Sequence, residues 1–272
     1  SVNRICEGHE INEYYLQENY SGSGQYFDSD GKVLPNGGPT DGMIRTPKDM
    51  EWLNAMIAEG YKFMPKETVS KNGIWYGDYI LSDVNGDGIY GDSNDYKWQG
   101  VSRTPKFYYG FNLEVGWKGI NLSARFVGAG GGAIRSRKGG VNYSVLQTQQ
   151  TIGKDIAYDH YFYDPDNPWD PRTNTTSRNP RLTITYGQAL NDSNFYLYKT
   201  NYLKLQNVTL SYSFPKKLLS HIRLTSAQIY VTGENLYTFK DRLFPGVDPE
   251  FTDTNMYYSP IRQIVFGVNL KF

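Results

Sequence analysis

The sequence predicts an all-β protein whose long strands each have one apolar and one polar face. Three observations support this: apolar residues recur at every second position, two such runs flank a two-residue turn, and the composition is aromatic and glycine-rich. Of the 272 residues, 24 are Tyr and 28 are Gly, and aromatic residues make up 15%. Successive side chains of a strand point to opposite faces, so a period of two indicates strands. Both a transmembrane β-barrel and a soluble β-sandwich have this pattern.

The clearest element is a hairpin at residues 107–126. Apolar residues occupy odd positions up to Trp117 and even positions from Ile120, with Lys118-Gly119 between them. This predicts a hairpin with a two-residue turn in which Trp117 pairs with Ile120. The following residues should share one face: Phe107, Tyr109, Phe111, Leu113, Val115, Ile120, Leu122, Ala124 and Phe126. That face would meet lipid in a barrel, or would pack on a core in a sandwich.

Three more strands are predicted towards the end of the chain, at residues 202–214, 224–233 and 261–272. In the first of them the alternation changes phase between Leu205 and Val208, which predicts either a bulge or a strand that passes from a loop into a barrel wall. In the last strand the residues that share an apolar face are Ile264, Phe266, Val268, Leu270 and Phe272. The terminal residues of soluble domains usually fray. Regular alternation up to the last residue therefore indicates a strand with a defined role.

Long loops and one helix complete the predicted organisation. Residues 129–195 and 237–259 are rich in Gly, Asn, Asp, Pro and Tyr, and loops of this length are unusual in a compact domain. Long loops are typical of the extracellular side of a membrane barrel, whereas the turns on the opposite side are short. A short helix is expected at residues 47–59, with Thr46 as its cap and Pro47 at its first position.

Composition and motifs exclude several classes of function. Lys plus Arg and Asp plus Glu both total 28, so no charge excess indicates a nucleic-acid partner. The mean hydropathy is −0.59, and no apolar run is long enough for a transmembrane helix. Cys6 is single, and the three His residues are far apart. No nucleophile elbow, phosphate loop or acid/base pair is convincing, so no catalytic residue is assigned and the protein is not expected to be an enzyme.

The segment DVNGDG at residues 83–88 is a candidate metal loop. Asp83, Asn85 and Asp87 stand at alternate positions before Gly88, as in the first half of a calcium loop. The Glu expected at the twelfth position is replaced by Asn94, followed by Asp95. We therefore predict that Asp83, Asn85, Asp87 and Asp95 hold calcium or magnesium, or that they form a rigid turn of hydrogen-bonded Asx side chains.

Several motifs, taken in order, resemble the C-terminal part of the SusC/RagA-type TonB-dependent outer-membrane transporters of Bacteroidetes. They cover nearly the whole chain and are YGDYILSDVNGDG (76–88), GVSRTPKFYYGF (100–111), NPRL (179–182), YLKLQNVTLSYSFP (202–215), YVTGENLYTF (230–239), VDPE (247–250) and the terminal strand to Phe272. The resemblance implies that residues 1–272 are the C-terminal portion of a large antiparallel transmembrane β-barrel of the 22-stranded, plugged type. Such a segment would supply six to eight strands. The start of the chain has neither an initiator Met nor a signal peptide, which also suggests a fragment of a longer precursor.

The resemblance also implies a function and partners. The protein would be part of an outer-membrane importer of oligosaccharides or peptides, with a SusD-like lipoprotein as its lid. Import would be driven by the TonB complex through an N-terminal part with plug and TonB box, which this sequence does not contain. Gly267, Leu270 and Phe272 fit the terminal signal for barrel assembly. The substrate-binding residues remain unknown. The alternative function is a soluble, calcium-stabilised carbohydrate-binding β-sandwich.

Overall fold

The computed structural model of the protein describes residues 5–135, 154–182, 193–244, 248–250 and 260–272. Long strands are its main elements, and within the described residues only the helix at Pro47–Ala58 is longer than two turns. In chain order the elements are β1 (Glu13–Gln17), α1 (Pro47–Ala58), β2 (Lys62–Phe63), β3 (Ile89–Tyr90), β4 (Tyr96–Ser102), β5 (Phe107–Trp117), β6 (Ile120–Gly130), β7 (Ala133–Arg135), α2 (Lys154–Tyr158), β8 (Leu197–Lys199), β9 (Tyr202–Ser213), α3 (Lys216–Leu219), β10 (Ser226–Lys240) and β11 (Gln263–Lys271), with short 3-10 helices at Asn194–Tyr196 and Ser220–Ile222. The prediction of a mainly β protein is confirmed, and so is the predicted helix, α1; the shorter helices α2 and α3 were not predicted.

The chain divides into two compact units. The first comprises Ser1–Val101 and Arg135–Leu197, and the second comprises Ser102–Ile134 and Tyr198–Phe272. The first unit holds α1 and short strands within long irregular segments. The second unit consists mainly of one sheet, so the regular alternation in the sequence is concentrated there.

The sheet of the second unit has five antiparallel strands in the order β11-β10-β9-β6-β5. The sequence had predicted six to eight strands, and the described residues supply five long ones. All five are 9 to 15 residues long, which meets the roughly 9–11 residues that a tilted strand needs to cross a bilayer. No closed barrel forms within the described residues, and β5 and β11 are the edges of this sheet.

The hairpin forms in the predicted register. Trp117 pairs with Ile120, and Leu113 pairs with Ala124. Lys118 and Gly119 both have positive φ, 46° and 86°, as a type I′ turn requires. The turn therefore places the odd-numbered residues of β5 and the even-numbered residues of β6 on one face.

The predicted phase change in β9 is a bulge. Arg125 of β6 pairs with Asn207, whereas the next residue, Phe126, pairs with Leu205, so Gln206 is extra on β9. This shift puts Leu205 and the later apolar residues of β9 on the same face. Strand β10 adapts with its own irregularity between Glu234 and Tyr237. It continues to Lys240, so the loop predicted to begin at residue 237 begins later.

The helix of the first unit follows its sequence signals. Thr46 accepts a hydrogen bond from the amide of Asp49, and the Asp49 side chain bonds back to the amide of Thr46, which completes a capping box. The apolar stripe of α1 is fully buried at Trp52, Leu53 and Met56. Helix α1 therefore anchors the core of the first unit. No helix among the described residues has the length and apolar character needed to span a membrane.

Candidate functional site

One face of the five-stranded sheet is apolar and open. Cross-strand partners share a face, so the register defines its members: Phe107, Tyr109, Phe111, Leu113, Val115, Trp117, Ile120, Leu122, Ala124, Phe126, Leu203, Leu205, Val208, Leu210, Tyr212, Ala227, Ile229, Val231, Tyr237, Phe239, Ile264, Phe266, Val268 and Leu270. We call this set the apolar face. Leu113 is 52% exposed, Phe266 80% and Val268 63%. Exposed apolar patches larger than a few hundred Å² mark interaction surfaces or membrane contact.

Aromatic residues border the aliphatic middle of the apolar face. Along β5, three aromatic residues come first, then Leu113 and Val115, then Trp117 next to the turn. Along β9, leucine and valine residues come before Tyr212, which lies near the turn end. At the opposite end the aromatic residues are supplied by β10, where Tyr237 and Phe239 pair with Leu205 and Leu203. Aromatic girdles that flank an apolar band are typical of membrane barrels, because Tyr and Trp prefer the membrane–water interface.

The opposite face of the sheet is polar. Asn121 donates a hydrogen bond from its side-chain amide to Glu114 at 2.9 Å, and the hydroxyl groups of Thr209 and Thr232 lie 2.8 Å apart. Gln228 bonds to Ser211 at 3.2 Å. In a barrel this face would line the interior, where polar side chains are satisfied by one another and by water.

The predicted assembly residues lie in β11 and just beyond it. Gly267 pairs with Tyr230, whose ring occupies the space where a side chain at residue 267 would stand. Leu270 pairs with Ala227 on the apolar face. Phe272 follows the last residue of the strand and is 86% exposed. The structure therefore places the three residues along one strand, and their role in assembly stays a prediction.

A buried charge cluster on the polar face was not predicted. Lys204 of β9 is only 2% exposed and donates hydrogen bonds to Asp248, at 2.6 Å, and to Glu250. The Tyr202 hydroxyl donates to Glu250 at 2.9 Å. The segment 248–250 is therefore fixed to β9 by one cation between two carboxylates. Such a cluster is stable only when all its members are present, because an unpaired buried charge is costly.

Two sequence signals mark the members of this cluster without connecting them. Lys204 is a charged residue in an otherwise apolar and neutral run, and the VDPE motif supplies two acids close together. Neither signal indicates the other, because the residues are more than forty positions apart. Only the tertiary structure brings them together.

The candidate metal loop is an array of hydrogen-bonded turns. Both carboxylate oxygens of Asp83 accept backbone amides, from Gly86 at 2.6 Å and Gly88 at 2.8 Å. The Asn85 side chain and Asp87 bond to each other in both directions. These contacts account for the tight backbone of the loop, in which Gly86 and Gly88 have positive φ.

Asp95 holds the two ends of this loop together through hydrogen bonds with the backbone. It is fully buried, and its two oxygens accept amides from Val84 at 2.7 Å and Gly91 at 2.8 Å. No group of three or more His, Cys, Asp or Glu side chains in the described residues is arranged to hold a metal ion. The residues therefore fit the predicted turn better than an ion site, and the calcium or magnesium ion remains an untested prediction.

Comparisons with known proteins agree with the motifs. The chain matches no protein-family model. It is 29% identical over 210 residues to TonB-dependent receptor P3 of Formosa agariphila, covering 72% of this chain and 19% of that protein. It is 26% identical to TonB-dependent receptor P26 of the same organism, covering 69% of this chain and 17% of that protein. The chain thus spans about a fifth of the length of these relatives. Both are named as receptors, in agreement with the prediction that the protein is not an enzyme.

Solved structures have the same fold. The RagAB peptide transporter superposes over 100% of this chain and 24% of its own, with a TM-score of 0.59 and 19% identity. The RagAB peptide importer in the open-open state covers 72% of this chain and 21% of its own, with a TM-score of 0.54 and 24% identity. Its closed-closed state covers 100% of this chain and 25% of its own, with a TM-score of 0.57 and 20% identity. The resemblance stated from the motifs is therefore confirmed: the chain is similar in sequence to TonB-dependent receptors of a Bacteroidetes and similar in fold to the RagAB transporter.

Proposed function

We propose that residues 1–272 form the C-terminal segment of a 22-stranded outer-membrane barrel that imports oligosaccharides or peptides. The observation that carries this proposal is the apolar face, which extends over five strands and stays open to its surroundings. A soluble protein would have to cover it, because leaving so many large apolar side chains in water is costly. Lipid covers it without any further protein layer.

The edges of the sheet support the same function. Strands β5 and β11 each present an unpaired row of backbone N–H and C=O groups in the described part of the chain. Such edges cannot exist inside a bilayer, where every backbone polar group needs a partner. We propose that other strands of the parent protein pair with β5 and β11 and so close the barrel.

The partners are proposed from the relatives. A SusD-like lipoprotein would serve as the lid, and the TonB complex would act through the N-terminal part of the parent protein. The RagAB structures are named as peptide importers or transporters, and this supports import of a polymer fragment rather than catalysis. The alternative, a soluble carbohydrate-binding sandwich with calcium, requires a second layer on the apolar face.

Cell fractionation of the parent protein tests this proposal. The barrel segment should appear in the outer-membrane fraction, should need detergent for extraction, and should migrate differently on gels with and without heating. Extraction in buffer without detergent would support the soluble sandwich and reject the barrel.

A further inference from the structure

A groove of about 650 Å³ lies in the apolar face, next to the Lys118-Gly119 turn. Its lining comes from four neighbouring strands, β6, β9, β10 and β11. One row of cross-strand partners in the lining consists of Ile120, Tyr212, Ile229 and Val268, and the next row includes Val231 and Phe266. The volume falls in the range of small-ligand pockets, about 300–1,000 Å³. General contact with lipid accounts for an apolar face, but it does not account for a groove within that face.

The charged side chains at this end of the sheet are all basic. No Asp or Glu occurs in residues 117–119, 213–226 or 270–272. These residues contain five cations, which we call the basic end: Lys118, Lys216, Lys217, Arg223 and Lys271. All five are exposed, and none forms an ion pair with another residue that the structure describes. The basic end therefore has an excess of positive charge that attracts an anion.

Backbone hydrogen bonds join the segments that carry these cations. The Ser213 amide donates to the Gly119 carbonyl at 2.8 Å, and the Thr225 amide donates to the Lys271 carbonyl at 2.7 Å. The turn also adjoins the groove, because a side chain at residue 119 would contact the Tyr212 ring. The groove and the basic end thus form one continuous surface.

Lys118 shows that positive charge lies on the apolar side of the sheet. Its ammonium group is 4.8 Å from the centre of the Trp117 ring. Trp117 belongs to the apolar face and pairs with Ile120, which lines the groove. The ammonium group is therefore held beside the turn end of the groove by a ring of the same face.

The connection between β9 and β10 adds exposed apolar side chains to its cations. Leu218 is 59% exposed and Ile222 is 61% exposed, whereas Leu219 is buried where α3 lies against β10. Segments that combine exposed aliphatic residues with Lys and Arg bind anionic membrane surfaces, because apolar burial and charge attraction act together. The connection therefore suits the boundary between lipid headgroups and acyl chains.

We propose that the groove and the basic end bind one anionic phospholipid of the leaflet on the short-turn side. An acyl chain would lie in the groove, and the phosphate would lie among the cations of the basic end. This inference rests on the proposed function, because it requires the apolar face to be in a bilayer. A headgroup with net negative charge suits a surface with cations only, whereas a zwitterionic headgroup brings an ammonium group that these cations repel. A protein segment is the less suitable occupant, since it would have to displace lipid from a groove surrounded by bilayer.

The test uses the full-length parent protein in detergent and counts bound lipids by native mass spectrometry. Dioleoyl phosphatidylglycerol is the anionic probe, and dioleoyl phosphatidylcholine, with the same acyl chains, is the zwitterionic probe. The anionic lipid should bind about 10-fold more tightly or better, because several cations each attract its headgroup. Glycerophosphoglycerol, the same headgroup without acyl chains, should not bind at these concentrations, because it cannot use the groove.

A triple variant tests the basic end. Lys118→Asn, Lys216→Gln and Lys217→Gln together should abolish the preference for the anionic lipid and leave the affinity for the zwitterionic lipid unchanged. Asn is chosen at residue 118 because it tolerates the positive φ of the turn. The control removes the same charge at three exposed lysines of the first unit and should keep the preference: Lys32→Gln, Lys62→Gln and Lys71→Gln.

A second variant tests the groove. Ile229→Trp places a large ring in the lining and should weaken the binding of both lipids alike, by about 4-fold for each methylene group that it excludes. Ile264→Trp is the matched control, because Ile264 is on the same face of the sheet but outside the lining. Its affinity for both lipids should equal that of the unchanged protein.

Four results would overturn the inference. They are equal affinity for the two phospholipids, no binding of either, the same preference in the two triple variants, and binding of glycerophosphoglycerol as tight as that of the whole lipid. Outer-membrane fractionation of the same protein separates this inference from the proposed function. Protein that stays in the outer membrane without preferring the anionic lipid would refute the lipid site alone. Protein that is extracted without detergent would refute the barrel, and the lipid site with it.

Discussion

A charge placed in the middle of the apolar face should destabilise the barrel in the membrane, and Leu113→Arg is the sharpest such change. Strand β5 has eleven residues. With a rise of about 3.4 Å per residue and a tilt of about 40°, it covers roughly 25 Å along the membrane normal. Leu113 is four residues from Trp117, which puts it about 10 Å from the turn and close to the middle of the bilayer.

The expected cost follows from this depth. Arginine at the midplane of a lipid-facing position costs about 2–4 kcal/mol, and the cost falls to about 0–1 kcal/mol near the interface. Leu113 is 52% exposed, so the added guanidinium would have no protein partner in lipid. We expect the free energy of unfolding of the parent barrel in vesicles, measured by urea titration, to fall by this amount.

The control has to be at the same depth but on the polar face. Ser123 meets this condition, because it adjoins Ala124, the register partner of Leu113, and faces Glu114 across the hairpin. Ser123→Arg should therefore cost little, since its new charge has an acidic neighbour. Asn112→Arg is less suitable, because its partner is Arg125 and like charges would repel. Equal losses for Leu113→Arg and Ser123→Arg would refute the assignment of the faces and favour a sandwich with a packed second layer.

Three further predictions follow from other parts of the chain. Deleting Phe272 should lower the amount of heat-modifiable protein in the outer membrane and leave the substrate affinity of the assembled fraction unchanged. The reason is that the ring lies at the end of β11, the strand that we propose faces lipid. Equal amounts of wild-type and truncated protein would disprove the assembly role. Lys204→Met should lower the free energy of unfolding by about 3–5 kcal/mol, because it leaves Asp248 and Glu250 without their cation, and it should expose residues 248–250 to proteolysis. The control Lys199→Met and the triple change Lys204→Met, Asp248→Asn, Glu250→Gln should both cost less. A small loss for Lys204→Met alone would contradict the role of the buried charge cluster. Asp95→Asn should lower the free energy of unfolding by about 1–3 kcal/mol, because a side-chain N–H group would then face backbone N–H groups. The exposed change Asp87→Asn and the addition of EGTA should both leave Tm unchanged. A lower Tm in EGTA would show that the loop holds calcium.

The sequence by itself determined the long strands of the sheet, except that β10 continues to Lys240, past its predicted end at residue 233. Alternation with a period of two is local, so it identified the hairpin, the bulge in β9 and the face that each apolar residue occupies. The turn at Lys118-Gly119 fixed the register, because a two-residue turn permits only one pairing of its flanking residues. Capping residues identified α1 for the same reason, since Thr46 and Asp49 act within one helical turn.

The tertiary structure alone decided where distant residues meet. Lys204 and Asp248 are 44 positions apart, and Asp78 and Arg181 are 103 apart, so no local pattern links them. A cavity of about 820 Å³ in the first unit likewise combines residues 71–76 with three separate parts of the predicted loop at residues 129–195. In the loop at residues 83–95, the spacing of the Asp and Asn side chains was visible in the sequence. That backbone amides donate hydrogen bonds to their oxygen atoms is visible only in the structure. Contacts of this kind depend on how irregular segments return to one another, which periodicity does not encode.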